Sequence, residues 1–193
     1  MDKLRLEIVP LNSDNVKIAG KLQHEIFPNS SAYVLYLEEV ENKRQDYMDY
    51  LINLGDTPVG IIGYNLDNVE RETAWLSWFG VLPKYRHMGI GKQSLDMLCA
   101  ILKRDGFQIL RLFTYEVWNE SAQPFYKIYM DFGEYYTNED DNQYDIEVGK
   151  CKIFTKSLTG KGAPLWDNKF INIGEEDELH KISLLKLKQD KLI

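Results

Sequence analysis

The sequence predicts an α+β fold in which about six to seven strands form one sheet flanked by helices. Three observations carry this. Stretches that alternate apolar and polar residues with a period of two recur along the chain, separated by segments whose apolar residues are spaced for one helical face. One run, residues 74–81, is apolar along nearly its whole length and reads as a long strand covered on both sides. That run leads, through a loop with two glycines, into a strongly amphipathic helix.

Taken in order, Leu4, Leu6 and Ile8 alternate with charged residues, and Pro10 closes the first strand. Asn12, Ser13 and Asp14 offer helix caps ahead of Val16, Ala19, Leu22, Ile26 and Phe27. A short helix is predicted between Ser31 and Lys43, with Tyr33, Tyr36, Leu37 and Val40 inward. Residues 47–54 read as a strand, Gly55-Asp56 as a turn, and 58–64 as the next strand. Asp67-Asn68 turns the chain into the run 74–81, which Pro83 ends. Residues 92–105 form the amphipathic helix, with Leu95, Leu98, Cys99 and Leu102 on one side and Gly106 as its C-terminal stop. A strand over 109–115 follows, then a helix over about 121–130 that holds Pro124 in its first turn. Strands near 133–138 and 147–158 complete the sheet.

After Thr159 the character changes. Gly160, Gly162 and Pro164 suggest a linker, and residues 175–178 are all acidic ahead of a lysine-rich stretch. Acids at the start and lysines at the end complement a helix dipole. Leu179, Ile182 and Leu185 supply that helix with an apolar edge, for docking on the parent domain or for a homodimer contact. The expected organisation is one domain over 1–158 and an extension over 159–193.

Thirty acidic against 23 basic residues give a formal charge of −7, which opposes unguided attraction to nucleic acid or an anionic membrane. It suits a cationic substrate such as an amine, although solubility explains it as well. Cys99 and Cys151 lie far apart in apolar-patterned segments and read as buried free thiols. No His or Cys pair has zinc-ligand spacing, so no metal is expected. The charged N-terminus does not read as a signal peptide, and no apolar run approaches the roughly 20 residues of a membrane span. A cytoplasmic location is the expectation.

The informative stretch is Val81-Leu82-Pro83-Lys84-Tyr85-Arg86-His87-Met88-Gly89-Ile90-Gly91-Lys92. Glycines at a strand-to-helix junction, with the unpaired amides of a helix start, make a site for phosphate oxygens. A nucleotide P-loop fails here, because Arg86 stands where its first glycine belongs and Gln93 follows Lys92. A dinucleotide fingerprint fails at its third glycine, which is Ser94. The arrangement Val81-x-Pro83-x-Tyr85-Arg86-x-x-Gly89-x-Gly91 instead resembles motif A of the GNAT superfamily of N-acetyltransferases. Downstream, Asn119-Glu120-Ser121-Ala122-Gln123-Pro124-Phe125-Tyr126 resembles the Asn-x-x-Ala-x-x-Phe-Tyr element of that family, with its usual Gly-Phe reversed as Phe132-Gly133. The likeness covers roughly residues 4–158.

The resemblance implies a three-layer, mixed but mostly antiparallel sheet with a splayed central strand pair. It also implies an N-acetyltransferase that moves an acetyl group from acetyl-CoA directly to a primary amine of a small molecule or peptide. Main-chain groups of Phe79 and Val81 would contact the pantetheine and thioester. Arg86, His87, Met88, Gly89, Ile90, Gly91 and Lys92 would bind the pyrophosphate, and Asn119 would bond the pantetheine or cap its helix. Tyr126 would be the general acid on the leaving thiolate, unless it is simply a core aromatic. The glutamate that several family members carry six residues before the motif A valine is replaced by Trp75. Glu116 is the first substitute base and Glu72 the second, with a water chain as the alternative. An acceptor region rich in aromatics (Trp75, Trp78, Trp118, Tyr135, Tyr136), beside an acidic stretch over 134–147, would draw an amine by charge and cation–π contact. Trp75 also keeps open a second function, an acyl-CoA-binding module without turnover.

Overall fold

The computed structural model describes residues 5–67, 69–115, 122–135, 151–166 and 176–193, with the backbone alone over 176–180. The elements are β1 (Leu6–Pro10), α1 (Val16–Ile26), α2 (Tyr33–Val40), β2 (Tyr47–Leu54), β3 (Thr57–Leu66), β4 (Thr73–Val81), α3 (Ile90–Arg104), β5 (Ile109–Tyr115), α4 (Gln123–Tyr129), β6 (Phe132–Tyr135), β7 (Cys151–Ser157) and α5 (Glu176–Gln189). The strands hydrogen-bond in the order β1-β2-β3-β4-β5-β7-β6, which gives seven. β4–β5 is parallel, whereas β1–β2, β2–β3, β5–β7 and β6–β7 are antiparallel. The mixed, mostly antiparallel sheet expected from the sequence is therefore present.

Two compact units divide the chain. The first takes Met1–Leu66, Leu76–Ile101 and Ile173–Ile193, and the second takes Asp67–Trp75 and Leu102–Asn172.

In the first unit, β1, β2 and β3 form a meander. Helix α1 starts where Asn12 folds back, its side-chain oxygen accepting from the amides of Asp14 (2.9 Å) and Asn15 (3.1 Å). The side-chain amide of Asn15 in turn donates to Pro10 O (3.0 Å). The helix buries Val16, Ala19, Leu22 and Ile26, the stripe read from the sequence. An alanine Cβ at Gly20 would enter the Tyr33 ring, so glycine is what lets α1 and α2 approach. Buried Gln23 accepts from the Ala32 amide (3.3 Å) and fixes the connection between the two helices. These helices close over Leu51 and Ile61 of the sheet, with Leu187 in the same core.

Helix α5 packs on α2, but not by the edge the sequence suggested. Ile182 and Leu185 are 49% and 59% exposed, while Ser183 and Leu187 are fully buried. The cause is polar: Ser183 Oγ accepts from the Val34 amide (3.1 Å), and Tyr33 donates to Asp190 (2.9 Å). The seam is set by those bonds rather than by the longest aliphatic side chains.

In the second unit, three residue pairs make the β4–β5 ladder, from Thr73↔Ile109 to Trp75↔Arg111, and both strands continue past the last pair. Arg111 is fully buried and bonds Thr155 Oγ1 (2.7 Å), Glu70 Oε2 (3.2 Å) and Pro164 O (3.2 Å). Its guanidinium lies 5.5 Å over the Trp166 ring. The glycine-rich segment read as a linker is thus held down at Pro164 and Trp166. Gly106, at φ +95, ends α3 as expected. Pro124 sits in the first turn of α4. Neither Cys99 nor Cys151 is in a disulfide, and Cys99 is half-buried rather than buried. The expected strand extensions over 136–138 and 147–150 lie outside the described residues.

Candidate functional site

The junction between β4 and α3 lies wholly in the first unit. Val81 ends the strand, and a single 3-10 turn at Pro83–Tyr85 replaces the expected plain break. His87 (φ 62) and Gly89 (φ 78) then take left-handed backbone, which turns the chain into α3 at Ile90, two residues earlier than the sequence suggested. Gly91 and Lys92 accordingly belong to the first helical turn. The first helical bond runs from Gln93 N to Gly89 O (3.1 Å), so the amides of Ile90 and Gly91 lie ahead of the ladder. No acidic side chain occupies that turn, which preserves its attraction for an anion. Arg86, His87, Met88 and Gly89 are all exposed. A Cβ at Gly89 would meet nothing closer than Gln93 Nε2 at 3.5 Å, so the bend is open on that side.

Two side chains are more engaged than the motif suggests. Arg86 Nε donates back to Val81 O (3.0 Å), pinning the loop to the strand end. The Lys92 ammonium pairs with Asp96 one turn along the helix (2.6 Å). What this junction offers an anion is therefore, first, its backbone amides. Phe79 is half-buried and Val81 buried, as main-chain contributors can be.

The second unit holds Tyr126, which α4 buries to 8% exposure. Its ring meets Phe154 at 5.8 Å and Phe125 at 5.5 Å. Burial pushes its phenol up, well above the usual tyrosine range. The group therefore keeps its proton and can only donate or be donated to. Helix α4 is tied to β5 through Gln123 Nε2 and Thr114 Oγ1 (3.3 Å). Glu72, the second substitute base, is exposed. Glu116, Trp118, Asn119, Tyr136 and most of the acidic stretch lie outside the described residues.

Trp75 is closed off from chemistry. Its indole Nε1 donates to Asp67 Oδ2 (2.8 Å), and its ring packs edge-on against Trp166 at 5.0 Å. Asp67 also receives the amides of Val69 and Glu70 (2.6 and 2.8 Å). The position at which the motif resemblance leads one to look for a base is here a packing position.

Sequence reasoning passed over a second polar group, again in the first unit. Asp49 of β2 is 3% exposed, and its Oδ1 accepts from Ser77 Oγ of β4 (3.2 Å). Gly63 of β3 is the registered partner of Asp49 and has no side chain to separate the two. Glu39 of α2 accepts the Asp49 amide (3.0 Å). Burial raises both carboxyls, Glu39 to about 7 and Asp49 well above its usual range, where the like charge of Glu39 adds to the effect. Legible signals existed: an aspartate at an inward position of an apolar strand, and a glycine inside the next strand, which marks close approach.

Residues 18–132, more than half of the chain, match the model of the acetyltransferase (GNAT) family. The chain belongs to the GNAT acetyltransferase family. This GNAT acetyltransferase is 28% identical over 165 residues to N-alpha-acetyltransferase 50 of Danio rerio, covering 84% of the chain and 94% of that protein. Among solved structures it is similar to an acetyltransferase from Thermus thermophilus, with TM-score 0.61 and 19% identity over 81% of this chain and 99% of that one. It is also similar to Arabidopsis thaliana Naa50 in complex with the bisubstrate analogue CoA-Ac-MVNAL, with TM-score 0.57 and 19% identity over 79% and 98% of the two chains. At such identities the two structures establish the GNAT fold.

Proposed function

We propose that this GNAT protein is an acetyl-CoA-dependent N-acetyltransferase whose acceptor is a primary amine, with peptide amino groups ahead of small-molecule amines. The β4–α3 junction carries the reading: a left-handed turn at Gly89 opens onto the leading amides of a fifteen-residue helix, a donor array suited to a pyrophosphate. Bound acetyl-CoA would supply the acetyl group as a thioester. Arg86 to Lys92 would hold its phosphates, and the main chain of Phe79 and Val81 would align the pantetheine arm. Tyr126, which keeps its proton at all ordinary pH, is assigned the donor to the leaving sulfur. Alignment of two bound reactants and donors to developing charge supply most of the rate in such direct transfers. The preference for peptide amines draws support from the N-alpha-acetyltransferase 50 likeness and from the peptide portion of the Naa50 ligand.

Trp75 favours one second reading, an acyl-CoA-binding module without turnover. Calorimetric titration with acetyl-CoA, for the wild type and Gly89→Glu, separates the readings when followed by a free-thiol assay. Binding in the micromolar range, about −8 kcal/mol, that is lost in Gly89→Glu is expected, together with thiol release on adding peptide. Tight binding with no thiol release would favour the module. No binding by folded wild type would refute both.

A further inference from the structure

We infer that Ser77, backed by the buried carboxyl pair Asp49 and Glu39, is the proton-accepting relay for the amine in this GNAT protein. The inference rests on the transferase reading above and assigns the base that reading lacks.

Three facts on β4 and its neighbours converge. The usual base position is occupied by Trp75, which Asp67 and Trp166 immobilise. Two residues further along the same strand, Ser77 is half-buried, and its hydroxyl donates to Asp49 Oδ1 at 3.2 Å. Phe79, whose main chain is assigned to the acyl donor, follows after another two residues, about 7 Å of strand. Ser77 therefore joins the acyl-donor stretch of β4 to a buried acid.

That acid is not an ordinary structural carboxylate. The buried carboxyls of Asp49 and Glu39 share a side-chain hydrogen bond, and the buried Tyr36 hydroxyl has no hydrogen-bond partner among the described residues. Buried polar atoms are nearly always paired, so an exception calls for a cause. Tyr36 is 1% exposed, and burial, with the charges of Asp49 and Glu39 adding to it, holds its phenol well above the usual tyrosine range. Among the described residues, no lysine or arginine forms an ion pair with either carboxyl. Arg44, after α2, acts on Asp49 from a distance, and its own partners are Asp46 (3.1 Å) and Glu38 (4.0 Å). From β3 the facing residue is Gly63. Two carboxyls so placed cannot both ionise easily, and they titrate as a pair rather than singly.

The chemistry balances with these groups alone. An incoming alkylammonium presents an N–H to Ser77 Oγ, directly or through one water. That N–H bond breaks, its electrons become the amine lone pair, and the proton joins Ser77 Oγ. The hydroxyl proton of Ser77 passes to Asp49 Oδ1 while the proton shared between Asp49 and Glu39 shifts onto Glu39, so the pair gains one proton and Ser77 ends as it began. Ser77 is the group that meets the amine; Asp49 and Glu39 act through it by setting its acceptor. A carboxyl pair near neutrality is suited to this, because a base works best when its pKa lies close to the working pH.

The test compares wild type, Ser77→Ala, Ser77→Thr and Asp49→Asn of the full chain. Acetyl-CoA binding is read by calorimetry, and transfer to the peptide Met-Val-Asn-Ala-Leu and to spermidine by free thiol. In the wild type, kcat/KM should fall as pH drops through about 7, the range set by Glu39. Ser77→Ala should lower kcat about 100-fold with acetyl-CoA affinity within about twofold, the size of a lost acid–base group. Ser77→Thr should recover most of the rate because it keeps the hydroxyl. Asp49→Asn, if folded, should lose the inflection. Failure of the wild type to bind acetyl-CoA would sink the transferase reading. Binding with no transfer to either amine, or transfer whose rate and pH profile are unchanged in Ser77→Ala, would overturn the relay.

Discussion

Replacing Gly63 with alanine tests whether the approach of Asp49 to Ser77 depends on the bare strand between them. An ideal Cβ at position 63 would overlap Asp49 Oδ1 and lie 2.7 Å from both Asp49 Cγ and Ser77 Oγ. Contacts this short force a substantial shift, and neither neighbour is the end of a long flexible chain. Asp49 is also registered directly opposite Gly63, so the sheet holds both backbones in place. Displacing Asp49 would cost about 1–3 kcal/mol as overpacking, and losing its bond from Ser77 about 1 kcal/mol more. Alanine returns about 0.4–1 kcal/mol by restricting the unfolded chain. The expected net loss is about 2 kcal/mol, read as a lowered urea midpoint at unchanged slope. Asp49→Ala removes the obstructing atoms, so the double variant should show a coupling of at least about 1 kcal/mol in favour of the pair. A Gly63→Ala protein within about 0.5 kcal/mol of wild type, or a strictly additive double variant, would refute the reasoning.

Two further outcomes follow from the same groups. Because burial raises the folded Glu39 to about 7, and raises Asp49 too, the folded state holds protons more tightly than the unfolded chain; that stabilisation is complete below the unfolded carboxyl range and is lost as pH rises through about 7. The melting temperature should therefore fall between pH 6 and 8 by about 2–4 °C per kcal/mol lost, and a fall of equal size in Glu39→Gln would argue against the pair. Trp75→Glu, which puts a glutamate at the position where the motif resemblance led us to look for a base, should not raise turnover: it places a carboxylate against Asp67 in the space packed by Trp166, and a stability loss of about 3–5 kcal/mol is expected by urea titration. Faster transfer by a stable Trp75→Glu protein would show that Trp75 is not a packing residue.

How much could be read from the sequence depended on how local the determinant was. Helix α1, the strands over 47–54 and 109–115, the stop at Gly106 and the first-turn placement of Pro124 all follow from spacing and from residues with restricted or permissive backbones. The bend between β4 and α3 was legible for the same reason, since Gly89 acts through its own dihedral angle. What escaped needs partners distant in the chain. The Asp49–Ser77 bond requires β2, β3 and β4 in register, and nothing near Asp49 in sequence marks Ser77 as its donor. Arg111 reads as a charged residue inside an apolar strand until Thr155, Glu70 and Pro164 arrive to bond it. The buried edge of α5 was misjudged because hydrophobicity alone ranks Ile182 and Leu185 above Ser183, whereas α2 offers a backbone amide for Ser183 to accept.

Strand β4 shows how one segment can lose a family's base without losing the place for one. Its first three residues, Thr73 to Trp75, belong to the second unit, where Trp75 is engaged by Asp67 and Trp166. From Leu76 onward it belongs to the first unit, where Ser77 meets Asp49 and Val81 ends the strand ahead of the turn into α3. A large indole at position 75 stabilises by packing, and a carboxylate there would have to be paired or solvated. Moving the titrating group to β2, behind a glycine, keeps the carboxyl buried at a position that α2 can tune through Glu39 while leaving only a small hydroxyl on β4. The arrangement replaces a base in direct reach of the amine by one that is sheltered and held near neutrality, which is why the pH profile of Ser77→Ala discriminates more sharply than its rate alone.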